Sequence, residues 1–286
     1  MAVRQQRQRL QELLRLAVLA AAQSAAPLVA HDPLGSDGHL AVLPALQDLP
    51  ADVVTRLSPA GPTSCADGSP FSFLVRRGSG ANERKVIVDF MGGGACWDEQ
   101  CLSPASRRFQ RLPDALSSVD GLPSEVANSL LVGAGFSAFP LSPDASSPLG
   151  GTASYTYVFV PYCTQDIHLG TCNQTYTDPQ SGESRTLRHN GETNSRAVMS
   201  WVYANFPPGS PSAPDTLTFM GCSAGAAGAI VTEAAQASQT YAADGVRVLA
   251  MGDSPCEQSP RGTPTPRASR LTLHTWSSRL TPQPPE

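Results

Sequence analysis

The chain has 286 residues, of which 41% are hydrophobic and 15% charged, with a formal net charge of -4. That is enough apolar material for one sizeable core or at most two small ones. The absence of a long basic run argues against a nucleic-acid partner, and no segment reaches comfortable membrane-spanning length.

Residues 1–30 differ in character from the rest of the chain. Arg4, Arg7 and Arg9 precede a short apolar run from Leu16 to Ala22, with small residues at Ser24, Ala25 and Ala30. A charged start, a short apolar centre and small residues for cleavage fit a secretory signal peptide, with an amphipathic N-terminal helix or an organellar transit peptide as the alternative. Secretion would place the seven cysteines in an oxidising compartment, where two or three disulfides are expected. Cys96 with Cys101 and Cys163 with Cys172 are possible local pairs. Asn173-Gln174-Thr175 is a glycosylation sequon suited to a secreted loop. No Cys/His cluster has zinc spacing, and neither metal nor cofactor is called for.

The elements alternate in type. "FSFLVRRGSGANERKVIVDF" reads as two strands joined by a Gly/Asn turn, the second running from Val86 to Phe90 into Gly92-Gly93-Gly94. Phe136 to Ser154 is rich in Ser, Pro and Gly and reads as a surface loop or insertion. Tyr155 to Cys163 is aromatic and β-branched, the mark of a buried strand. "ETNSRAVMSWVYANF" has helical spacing that buries Val198, Trp201 and Val202, and Pro207-Pro208-Gly209 ends it. "TLTFM" is a strand, "AGAAGAIVTEAAQA" a helix with a first turn of small residues, and Val246 to Asp253 another strand. Strands alternating with helices predict a mostly parallel sheet covered by helices, an α/β architecture.

The join between "TLTFM" and its helix carries chemistry. Gly221, Ser223 and Gly225 fit G-x-S-x-G, the pattern of a nucleophile elbow where a strand turns sharply into a helix. A serine hydroxyl is a weak nucleophile at neutral pH. It needs a histidine to take its proton and an acid to orient that histidine. The tetrahedral intermediate needs backbone N–H donors, each worth about 3 kcal/mol. One donor comes directly after the nucleophile, here Ala224, and another comes from a Gly-rich loop after an earlier strand, the place held by Gly92-Gly93-Gly94.

"CADGSPFSF", "DFMGGGACW", "VPYCTQDIHLG", "HNGETNSRAVMSWV" and "MGCSAGAAGA" resemble, in order, blocks of the pectin acetylesterase/Notum family of carboxylesterases over about residues 60–254. The resemblance implies an α/β-hydrolase fold for residues 31–254 and a secreted serine esterase. Its substrate would be an acylated polysaccharide or another acyl ester, with no nucleic acid and no membrane beyond the signal segment. By matched position Ser223 is the nucleophile, and Gly93, Gly94 and Ala224 are the oxyanion-hole donors. Cys222 stands where the family tolerates small residues and reads as a buried free thiol.

The base and acid are harder to place. In α/β-hydrolases they come after the nucleophile along the chain, acid first. Only one convincing strand lies beyond the elbow, and residues 255–286 form a Pro-rich segment that reads as disordered. His274 lies in that segment. Asp253 is an acid by position but comes one strand early, and Glu257 is weaker. His168 and His189 precede the elbow; His168, with Asp166 nearby, reads as a loop-stabilising hydrogen-bond partner. His31 and His39 read as solvated. The expectation is therefore an α/β-hydrolase-like sheet that is C-terminally incomplete. The alternative function is a catalytically inactive form that binds an acylated glycan or protein.

Overall fold

The computed structural model describes residues 43–110, 116–123, 127, 152–228, 233–253 and 272–275. Every described residue belongs to one compact unit within Leu40–Glu286. The signal peptide, His31, His39 and Glu257 lie outside the described residues, as does nearly all of the Ser/Pro/Gly-rich stretch after Phe136.

The principal sheet is built from β1 (Val54–Leu57), β2 (Phe73–Arg76), β3 (Lys85–Phe90), β4 (Thr156–Val160), β7 (Thr216–Cys222), β8 (Arg247–Asp253) and β9 (Thr272–Thr275). Their order across the sheet is β1-β2-β4-β3-β7-β8-β9. The four central strands, β4, β3, β7 and β8, are mutually parallel. β1, β2 and β9 join antiparallel at the two sides. The fold is α/β with a mixed, mostly parallel sheet, as the alternation of elements predicts.

Composition explains which strands sit in the middle. β3, β4 and β7 are nearly continuous apolar runs and are buried on both faces, as strands between two covering layers must be. The Gly/Asn turn between β2 and β3 does not make a hairpin. β4 lies between those two strands, so β3 gains parallel neighbours on both sides. A polar pair enters this core: the Tyr157 hydroxyl donates to the buried Asp89 carboxylate at 2.6 Å.

Among the described residues, α1 (Pro104–Gln110), α2 (Gly191–Asn205), α3 (Ala224–Gly228) and α4 (Ala235–Thr240) are α-helical. α2 buries Val198, Trp201 and Val202, the face its spacing predicts. The Trp201 indole also donates to the Pro44 carbonyl at 3.0 Å. The helix expected over residues 224–237 is described as two pieces, α3 and α4, with residues 229–232 outside the described set. A hairpin of β5 (Cys172–Thr177) and β6 (Ser184–His189) forms a separate two-stranded sheet.

The C-terminal segment is not wholly as expected. Thr272–Thr275 pair antiparallel with β8, so four residues of the segment read as disordered are a strand. The run Thr-Leu-His-Thr is short but has a β-branched threonine at each end, and β8 offers it an edge to pair with.

Two disulfides lie wholly within the described residues. Cys96–Cys101 is the expected local pair. Cys163 bonds Cys65, not Cys172, which is an exposed free thiol. The Cys65–Cys163 bond spans a sequence separation of 98, a loop whose closure stabilises by roughly 4–5 kcal/mol in the chain-entropy account. No helix among the described residues is long and apolar enough to cross a membrane.

Candidate active site

Ser223 sits between the last residue of β7 and the first of α3, at the C-terminal end of the parallel strands. Its φ is +53°. L-residues avoid that region because the β-carbon crowds the following carbonyl, at a cost of roughly 1–2 kcal/mol. A non-glycine residue held there on a strand-to-helix turn is strained backbone, the conformation that a nucleophile elbow requires. Ser223 remains partly exposed while Cys222 and Ala224 on either side are buried.

The glycines of the motif are required by contact. A β-carbon on Gly221 would lie 2.8 Å from the Ala226 nitrogen, so the strand could not fold back beneath its own helix. A β-carbon on Gly225 would fall on the Phe90 carbonyl oxygen and lie 2.7 Å from the Phe90 carbonyl carbon. α3 therefore lies against the end of β3, the strand that leads into Gly92-Gly93-Gly94. Gly92 in turn backs onto Cys222, whose carbonyl carbon would be 3.2 Å from an added β-carbon. The Gly-rich loop and the elbow are thus joined backbone to backbone.

Gly94 has φ +79° and Gly93 φ +153°, values that side chains would resist. Ala224 is the first helical residue of α3, and its N–H has no intrahelical acceptor. The structure therefore brings Gly93, Gly94 and Ala224 to the same end of the sheet as Ser223, on two loops in mutual contact.

Cys222 differs from expectation. It is disulfide-bonded, not a free thiol, and its partner lies outside the described residues. A cysteine in this position is buried like a small apolar residue whether or not it is bonded, so the sequence offers little to separate the two states.

The histidines are placed as supports. His168 is 2% exposed, and its Nε2–H donates to the Met91 carbonyl at 2.9 Å. Burial pushes its pKa down, opposed by the Met91 carbonyl and the Asp166 carboxylate. The loop-stabilising hydrogen bond expected of it is present. His189 is also buried: its Nδ1–H donates to the Thr164 carbonyl at 3.0 Å, and its Nε2 accepts from the Tyr176 hydroxyl at 2.8 Å. Asp166 accepts from the Thr164 hydroxyl, from the His168 N–H and from the Gly191 N–H. Asp253 is the last residue of β8 and lies in register opposite Cys222, the residue before Ser223. His274 lies on β9 opposite Ala250. Among the described residues, no group of three or more His, Cys, Asp or Glu residues is placed to hold a metal ion.

Sequence reasoning did not anticipate how the loop from Tyr162 to Gly170 is built. Gln165, Ile167 and His168 all have φ between +55° and +62°. The available signal was the pair Gly170 and Gly191 around the Asp-x-His triplet. A β-carbon on either glycine would strike the Asp166 carboxylate.

No family model and no curated protein matches the sequence. Among solved structures, the chain is similar to the Wnt deacylase Notum from Drosophila. The identity is 20%, the TM-score 0.44, and the match covers 71% of this chain and 53% of that chain. The chain thus spans about half the length of that protein. The α/β assignment stands on the strand order and directions themselves.

Proposed function

We propose that the protein is a secreted serine carboxylesterase of the deacetylase type, resembling pectin acetylesterases, with Ser223 as its nucleophile. The Ser223 oxygen would attack the carbonyl carbon of an acyl ester. The new C–O bond places negative charge on the former carbonyl oxygen, and the N–H groups of Gly93, Gly94 and Ala224 are the donors to receive it. Collapse of the intermediate would pass the proton given up by the Ser223 hydroxyl to the departing alkoxide, releasing the alcohol and leaving an acyl-serine, which water hydrolyses to the acid and the free Ser223 hydroxyl. The observation that carries the reading is the left-handed Ser223, held on a strand-to-helix turn against the Gly-rich loop.

The two disulfides within the described residues suit an oxidising compartment, which supports the secretory part of the reading. An O-acylated polysaccharide is the substrate class proposed. A second reading, a non-catalytic binder of acylated glycan or protein, is favoured by one observation. Both histidines of the described core, His168 and His189, commit a ring nitrogen to a backbone carbonyl.

A fluorophosphonate probe with mass-spectrometric location of the adduct separates the two. The esterase reading expects a phosphonyl adduct on Ser223, formed slowly and lost in Ser223→Ala. Fast labelling would reveal a working base within the chain. No adduct at Ser223 after prolonged incubation overturns the esterase reading, and retained binding of an acetylated glycan would then favour the binder.

A further inference from the structure

The Tyr162–Gly170 loop holds an unfavourable conformation at considerable cost. Gln165, Ile167 and His168 have φ of +57°, +55° and +62°, and Ile167 is β-branched, the residue class least suited to that region. Each such residue is strained, and it persists only where surrounding contacts over-determine it.

Those contacts are present on every side. The Ile167 N–H donates to the Tyr162 hydroxyl at 2.7 Å, and the Cys96 N–H donates to the Gln165 carbonyl at 3.0 Å. Asp166 binds the loop to itself and to the first residue of α2, through the Thr164 hydroxyl at 2.7 Å and the Gly191 N–H at 2.7 Å. The result is that His168 projects inward, its ring edge-on to Phe90 with centroids 5.2 Å apart and tilted over Tyr162 at 4.7 Å.

Two glycines on two different helices make room for it. A β-carbon on Gly228, the last residue of α3, would lie 2.8 Å from the His168 β-carbon. A β-carbon on Gly191 would lie 2.7 Å from the His168 α-carbon. A leucine or phenylalanine would fill an apolar gap without a buried polar ring. What the imidazole adds is one directed N–H, and it is aimed at the carbonyl of Met91, the residue before Gly92-Gly93-Gly94.

We propose that His168 is a positioning residue for the oxyanion hole: its Nε2–H fixes the Met91–Gly92 peptide while its flank abuts the end of α3, so that the Gly-rich loop and the elbow keep one relative placement. This inference rests on the esterase reading, because it assigns the loop its role in stabilising the intermediate. His168 acts through the Met91 peptide and not on the reacting atoms. Its contribution is to the precision with which Gly93 and Gly94 present their N–H groups, and such donors act only when pre-set at the developing charge.

The test uses the full chain with His168→Phe and His168→Gln. Phe keeps bulk and loses the donor, whereas the Gln amide can donate in place of Nε2. The rate of Ser223 phosphonylation is measured against probe concentration. The maximal rate should fall about tenfold or more in His168→Phe while the half-saturating probe concentration stays within about twofold. His168→Gln should recover most of the loss. A wild-type rate in His168→Phe, or a Gln variant no better than Phe, overturns the inference and leaves the esterase reading intact. If wild type gives no adduct at Ser223, the esterase reading fails first. Hydrogen exchange then decides the positioning itself: amides from Gly92 to Cys96 should exchange faster in His168→Phe while those of β3 do not, and unchanged exchange overturns it. Should the Phe variant fail to fold, the wild-type protein serves alone. Its His168 Nε2–H proton resonance should shift when Ser223 is phosphonylated, and an unmoved resonance overturns the inference.

Discussion

Gly225 of α3 packs directly on the Phe90 carbonyl at the end of β3, close enough that a β-carbon would overlap the oxygen. This contact ties the helix after the candidate nucleophile to the strand that leads into the Gly-rich loop. Both partners at the point of contact are backbone, so neither can swing aside as a flexible side chain would. Gly225→Ala should therefore destabilise the protein by about 3 kcal/mol or more, beyond the usual range for one added methyl in a core. Urea unfolding of the variant checks this. A change under about 1 kcal/mol would mean that α3 does not lie on the end of β3.

Ser223 invites the opposite kind of change. Its φ of +53° burdens any residue with a β-carbon, so serine and alanine are both strained there and glycine is not. Ser223→Gly should be more stable than Ser223→Ala by about 1 kcal/mol, or about 2–4 °C in Tm for a chain of this size. Both variants lose the hydroxyl, so the comparison isolates the backbone. Equal stabilities, or alanine the more stable, would show that the turn at residue 223 is unstrained and would remove the main support for an elbow.

The sheet's centre was legible because its physics is local. β3, β4 and β7 are dense apolar runs, and only strands buried on both faces tolerate such runs. The tight strand-to-helix turn was legible because Gly221, Ser223 and Gly225 each answer a backbone requirement at a fixed spacing. The antiparallel strands were legible only in part. β2 reads as a strand but its partners do not, since it pairs with β1 and with β4 far along the chain, and β1 is four mostly unpatterned residues. The hairpin of β5 and β6 was missed although Asp178-Pro179 and Ser181-Gly182 mark its turn. Its strands carry mostly polar, exposed residues and show little hydrophobic alternation. The support given by His168 was only half legible. The Asp-x-His triplet suggested a loop contact, but its acceptor, the Met91 carbonyl, lies 77 residues earlier in the chain. Long-range partners of that kind are set by topology and not by pattern.

Glu233 gives the stability a pH dependence that can be read on its own. Its carboxyl is 4% exposed, and burial raises its pKa from 4.5 to about 7, with Arg196 opposing and Glu192 adding to the rise. Between pH 4.5 and about 7 the unfolded chain releases this proton while the folded one keeps it. Stability is then complete below pH 4.5, falls as pH rises, and levels off above about 7. The shift corresponds to a loss of about 3 kcal/mol across that window. His168 acts in the other direction: burial lowers its pKa, so its share of stability is full above the unfolded histidine value near 6.5 and declines as pH falls below it. Glu233→Gln separates the two, since glutamine keeps the shape and cannot ionise. Relative to wild type it should gain about 3 kcal/mol between pH 4 and pH 8, leaving only the decline at acid pH. Urea unfolding at pH 4, 6 and 8 measures both curves. If the variant simply parallels wild type at all three, the Glu233 carboxyl is ionised in the folded protein and is not shielded from solvent.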